Sequence, residues 1–145
     1  MNSLNEAVTM LASAARTASA NGDTVRLLDG PKSAGQPVSA ISFTLDVTVD
    51  EQTAADKLDV YIQTKPDGTN WLDVVHFTQH DGDAAAKRYT AKIFADVAEA
   101  EFEVGSDLAE DAVRNLFGVE WRVRVVIVND STNASFTFSV SATPI

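Results

Sequence analysis

The chain has 145 residues, 45% of them hydrophobic and 22% charged, which is one domain's worth of sequence with enough apolar surface to offset the entropy of folding. It holds no Cys, which excludes a disulfide framework, a thiolate nucleophile and a cysteine zinc site. Twenty-one acids against 11 bases leave a net charge of −10, which argues against a nucleic-acid partner, because phosphate binding needs a basic face.

The start Met1-Asn2-Ser3-Leu4-Asn5-Glu6 carries an acid and no base before Arg16, and the apolar run from Ala7 is broken by Thr9 and Ser13. Neither feature suits a secretory peptide. No stretch reaches the roughly 18 apolar residues of a membrane-spanning helix. The expectation is a soluble protein made in a cytoplasm, with no membrane partner.

Taken in chain order, the dominant signal is alternation with period 2, which sends successive side chains to opposite faces of a strand. Val8, Met10 and Ala12 alternate with Thr9, Leu11 and Ser13, and a short strand is expected over 23–28 after the Asn21-Gly22 turn. Gly30-Pro31 to Pro37 reads as a loop. The clearest strand is 41–49, with Ile41, Phe43, Leu45, Val47 and Val49 on one face and Ser42, Thr44, Asp46 and Thr48 on the other. Leu58, Val60 and Ile62 repeat the pattern against Asp59, Tyr61 and Gln63. Lys65-Pro66-Asp67-Gly68 has the chemistry of a tight turn, with φ preset at Pro and a left-handed position at Gly.

Residues 70–78 form a further strand, followed by Tyr89, Ala91, Ile93 and Ala95 facing one way. Ala100, Phe102 and Val104 alternate with Glu99, Glu101 and Glu103, which favours a strand. One short helix is expected near 107–117: Asp107 and Glu110 resemble a capping box, Leu108, Ala112, Leu116 and Phe117 keep helical spacing, and Gly118 suits its C-terminal end. Trp121, Val123, Val125 and Ile127 oppose Arg122 and Arg124. A polar loop over 129–133 then leads to Phe136, Phe138, Val140 and Ala142, alternating with Ser and Thr.

Eight or nine strands, each with one apolar face, predict an all-β fold: an antiparallel β-sandwich, jelly-roll-like, in a single domain spanning 1–145. The predicted inward set is Ile41, Phe43, Leu45, Val60, Ile62, Val123, Val125, Phe136 and Phe138. An extended N-terminal arm over 1–20 is compatible with this pattern.

Candidate chemistry is sparse. His76 and His80, with Asp81 and Asp83, could supply nitrogen and oxygen ligands to a metal if a turn drew them together. An exposed polar turn is the more economical reading. Asp96, Glu99, Glu101, Glu103, Asp107, Glu110 and Asp111 crowd 16 residues that contain no base, yet lack the spacing of a dedicated calcium loop. They read as a solvated face. There is no nucleophile elbow and no phosphate-cradling glycine loop. The expectation is no enzyme, no catalytic residues, no metal and no cofactor. Trp71, Trp121 and Tyr61 could form a sugar platform, though Trp on an alternating strand is more often core.

Three stretches carry a resemblance. They are 8–19, rich in Ala, Ser and Thr; 58–79, an aspartate-marked strand ending in Pro66-Asp67-Gly68 with Trp71 and Asp73-Val74 beyond it; and the ending Phe136-Thr137-Phe138-Ser139-Val140-Ser141. Arg122-Val123-Arg124-Val125 supplies an Arg-Val strand. In this order the chain resembles small virion proteins of tailed bacteriophages, and is similar to capsid decoration (cement) proteins with a jelly-roll core. It departs from that pattern at 98–118.

The resemblance implies a structural protein that binds and stabilises the phage shell from its outer surface. Its partners would be the major capsid protein and copies of itself, as a homotrimer. The uncharged interior of 7–20, broken only by Arg16, is the expected self-association face, and the acids of 96–111 are expected to face solvent. The alternatives are a tail or fibre component, or a carbohydrate-binding sandwich using Trp71 and Tyr61.

Overall fold

The computed structural model describes residues 6–28, 38–50, 54–101, 103–128 and 134–145. Its strands are β1 (Val8–Arg16), β2 (Ala20–Asn21), β3 (Ala40–Asp50), β4 (Lys57–Thr64), β5 (Leu72–His76), β6 (His80–Asp81), β7 (Lys87–Phe94), β8 (Trp121–Val128) and β9 (Phe136–Pro144). All pairings between them are antiparallel. One sheet runs β1-β9-β3-β7; the other runs β2-β8-β4-β5, with β6 also on β4.

Set the two-residue β6 aside and the wiring is regular. The first strand pairs with the last (β1 with β9), then β2 with β8, β3 with β7 and β4 with β5. That is a long hairpin doubled over on itself, the jelly-roll arrangement of two packed sheets. The sandwich read from the alternation is therefore present, and so is its jelly-roll character.

The predicted inward set lies in the core. Ile41, Phe43, Val60, Ile62, Val123, Phe136 and Phe138 are fully buried, and Leu45 and Val125 nearly so. Each such side chain contributes about 1.5–3 kcal/mol relative to leaving it in water. The β4–β5 hairpin turns as its residues dictate: Gly68 N–H donates to Lys65 O at 3.2 Å, and Gly68 takes a φ of 74°.

Four expectations need correction. The helix near 107–117 is absent. Residues 111–114 instead lie along β5: Asp111 N–H donates to His76 O, His76 N–H to Ala112 O, and Arg114 N–H to Val74 O. An isolated helix of this length is marginal in water, whereas the bare margin of β5 offers ready backbone partners. Asp107, expected as a cap, accepts from Arg124 instead. Second, none of the described residues 100, 101, 103 and 104 is in a strand: a turn with Gly105 at φ 94° ends the alternation, and Phe102 lies outside the described residues.

Third, 23–28 reduces to a single bridge, Val25 to Trp121. Fourth, β4 has no wet face: Asp59, Tyr61 and Gln63 are buried along with Leu58, Val60 and Ile62. The N-terminal run considered as an arm contributes β1 and β2 to the two sheets. The loops expected over 30–37 and 129–133 fall outside the described residues.

Candidate functional site

The two histidines are held apart by the sheet. His80, on β6 opposite Leu58, points into the core, where Nδ1 lies 2.8 Å from the Tyr89 hydroxyl and the ring meets Tyr89 and Phe136 edge-on. His76, on β5 opposite Tyr61, points to the outer face of the second sheet. Asp81 is engaged by Lys57 at 2.6 Å, and that bond holds its carboxyl below the usual range. Among the described residues no three metal-ligating side chains converge.

The outer face of the second sheet carries the most organised polar cluster. Alternation places Asp59, Tyr61 and Gln63 of β4 beside Arg122 and Arg124 of β8, and a register shift in the β4–β5 pairing brings both Asp73 and His76 of β5 to the same face. The side chains then link in a chain. His76 Nε2 lies 2.9 Å from Asp59 Oδ1, and Gln79 Nε2 donates to Asp59 Oδ2 at 2.8 Å. The His76 ring stacks on Tyr61 with centroids 3.9 Å apart, and the Arg124 guanidinium sits over the other ring system at 4.5 Å from the Tyr61 centroid. Arg124 reaches Asp107 at 2.9 Å and Asp73 at 3.4 Å. Gln63 donates to Asp73 and accepts from Arg122, which lies 4.2 Å from the Trp71 ring centroid.

Residues 104–118 cover this cluster. Leu108 is buried against it; its N–H donates to Asp73 Oδ2 at 3.2 Å and its carbonyl lies 2.9 Å from His76 Nδ1. Burial, reinforced by the charge of Asp59, raises the Tyr61 hydroxyl pKa. Burial also lowers Arg122, with Arg124 adding repulsion. For Arg124 burial acts downward too, but the Asp107 hydrogen bond and the charge of Asp73 outweigh it, and its pKa rises.

The cluster is interlinked from β5 through β4 to β8. His76 beside Asp59 has the look of a base with its orienting acid, but both ring nitrogens face acceptors. The sugar-platform aromatics are likewise occupied. Trp121 is fully buried against Phe43 and Phe117, Tyr61 is buried between His76 and Arg124, and Trp71 carries Arg122 and Lys65 over its ring. The alternation of Arg122 and Arg124 toward the same face as Asp59 and Gln63 was the sequence signal for this cluster. The reach of Asp73 and Asp107 into it had none.

The acids of 96–111 are exposed, as expected, but several are engaged: Glu99 accepts from Asn115, Glu110 from Gln79 N–H, and Asp111 from the Thr78 hydroxyl. A cleft of about 340 Å³ opens between the margins of β5 and β7, lined by Val75, Phe77, Tyr89, Ala91 and Val113 with Arg88 and Asp111 at hand. Comparison with known proteins finds no matching family model, no matching curated protein and no matching solved structure.

Proposed function

We propose that this chain is a structural virion protein of a tailed bacteriophage, a capsid decoration protein that binds the major capsid protein on the outer surface of the shell and strengthens it. On this reading it is made in the host cytoplasm, is not an enzyme, and acts as a homotrimer. The observation that carries the reading is where the resembling motifs fall. Pro66-Asp67-Gly68 makes the β4–β5 hairpin, Arg122-Val123-Arg124-Val125 lies in β8, and Phe136 to Ser141 lies in β9. All of them build the strands and the hairpin of the jelly roll.

The interlinked outer face supports the same reading. A shell protein works by repeated contact over many copies, where avidity replaces single-site affinity and rigidity serves better than an open site. The exposed strip Ala12 to Ala15 on β1 is uncharged and small, so another surface can approach it closely. The test is co-sedimentation of the purified chain with phage shells prepared without it. Saturable binding to the shell is expected, with shells that resist heat better when coated. Binding to isolated tails but not to shells would favour the tail component instead, and retention by polysaccharide with no shell binding the carbohydrate module.

A further inference from the structure

Sheet margins are templates for added strands, and most of those here are blunted. β1 carries two register shifts, and Arg16 caps its carbonyls at Ala12 and Ala14. β2 is two residues long, and β5 is covered by 111–114. β7 differs. It pairs with β3 in unbroken register from Ala40–Phe94 to Val47–Lys87 and, among the described residues, has no strand on its other side.

The polarity of that margin follows from two bonds. Ala95 N–H donates to Ser39 O at 2.9 Å, toward β3, and Phe94 N–H donates outward to Asn115 Oδ1 at 2.8 Å. Alternation of an antiparallel ladder then aims the N–H and C=O of Arg88, Thr90 and Lys92 away from β3. The side chains here are basic in an acidic protein: Lys87, Arg88 and Lys92 are exposed, and Arg88 pairs with Asp46 at 3.1 Å. Behind the margin lies the cleft between β7 and β5, where apolar Val75, Phe77 and Ala91 alternate with polar Thr78, Thr90 and Asp111.

The same chain holds a segment of complementary pattern. Residues 100–104 alternate Ala100, Phe102 and Val104 with Glu101 and Glu103. Glu101, Glu103 and Val104 are exposed, and none of them is in a strand. Glu99, held by Asn115, ties the start of the segment to its own chain.

We propose that the β7 margin takes residues 100–104 of a second copy of this chain as an added strand. Glu101 and Glu103 then share a face with Arg88 and Lys92, and the alternate residues of the segment share the face of Tyr89 and Ala91. Strand addition of this kind draws affinity from the backbone and specificity from alternate side chains. The contact joins two different surfaces, so it is head-to-tail, and it closes into a ring where the rotation allows. It deepens the homo-oligomer proposed above and rests on that part of the reading alone. Shell binding by a strictly monomeric chain would overturn this contact and leave the virion role standing.

The experiment is sedimentation velocity over a range of concentrations on three proteins: wild type, Arg88→Glu with Lys92→Glu, and Glu101→Lys with Glu103→Lys. All four positions are exposed, so folding is retained. Wild type should self-associate, more weakly in 1 M salt, where screening shortens to about 3 Å. Each double reversal should weaken association about tenfold or more, as attractive cross-strand pairs become repulsive. An equimolar mixture of the two reversals should restore it, which folding back within one chain cannot do. Thr90→Pro, which removes an outward N–H without touching the β3 ladder, should abolish association. A wild-type mass independent of concentration, or an association unchanged by the reversals, overturns the proposal.

Discussion

Asp67 shows how one carboxylate shapes a turn. It accepts the N–H groups of Thr69 and Asn70 and the side-chain amide of Asn70, and the Asn70 backbone bond leads in pulling its pKa down to about 2. A folded-state pKa depressed from the ordinary 3.8 contributes stability that is present above 3.8 and lost as pH falls through about 2. Wild type should therefore lose more stability between pH 5 and pH 2 than Asp67→Asn, which keeps an acceptor but does not titrate; denaturant midpoints at the two pH values measure the difference. Gly118 matters for a different reason. A Cβ there would lie 2.5 Å from Lys65 O and from Thr64 Oγ1, closer than real contacts allow. Gly118→Ala must push the end of β4 aside, at a cost of about 1–3 kcal/mol in chemical denaturation. The expected role of this glycine was to end a helix; its actual role is to let two backbones pass.

Among the elements, the strands with a clean two-residue period were legible in the sequence because their outward faces meet water or short polar side chains. β3 and β9 are the examples, with Ile41 and Phe138 inward as the alternation demands. The second burial of β4 was not legible. Its cover, 104–118, comes some 40 positions later, and nothing local in Asp59, Tyr61 and Gln63 announces it. Residues 107–117 carry honest helix signals, and these lose to the β5 margin, a partner that exists only in the folded molecule. The same reasoning yields a test. Leu108 is the buried anchor of the cover, so Leu108→Ala should cost about 2 kcal/mol or more. Amide exchange should quicken at His76, Asp111 and Arg114, which bond across the cover, while amides of the β3–β9 ladder keep their protection. Equal acceleration in both places would mean that the cover is not a separable unit.

At the scale of the whole molecule, two properties stand out: a closed jelly roll and an acidic surface. Copies carrying a net charge of −10 repel one another, and at physiological salt screening acts over about 8 Å. Close approach is therefore confined to places poor in acid, such as the Ala12 to Ala15 strip, or rich in base, such as β7. The polar cluster under 104–118 ties the outer face of the second sheet to its cover through Asp73, His76 and Arg124. The most direct measurement of the proposed virion role is cryo-electron microscopy of the phage particle proposed to carry this chain. The account predicts jelly-roll density on the outer surface of the shell, repeated at its symmetry axes, in contact with the major capsid protein. Density confined to the tail, or a shell with no such density, would contradict it.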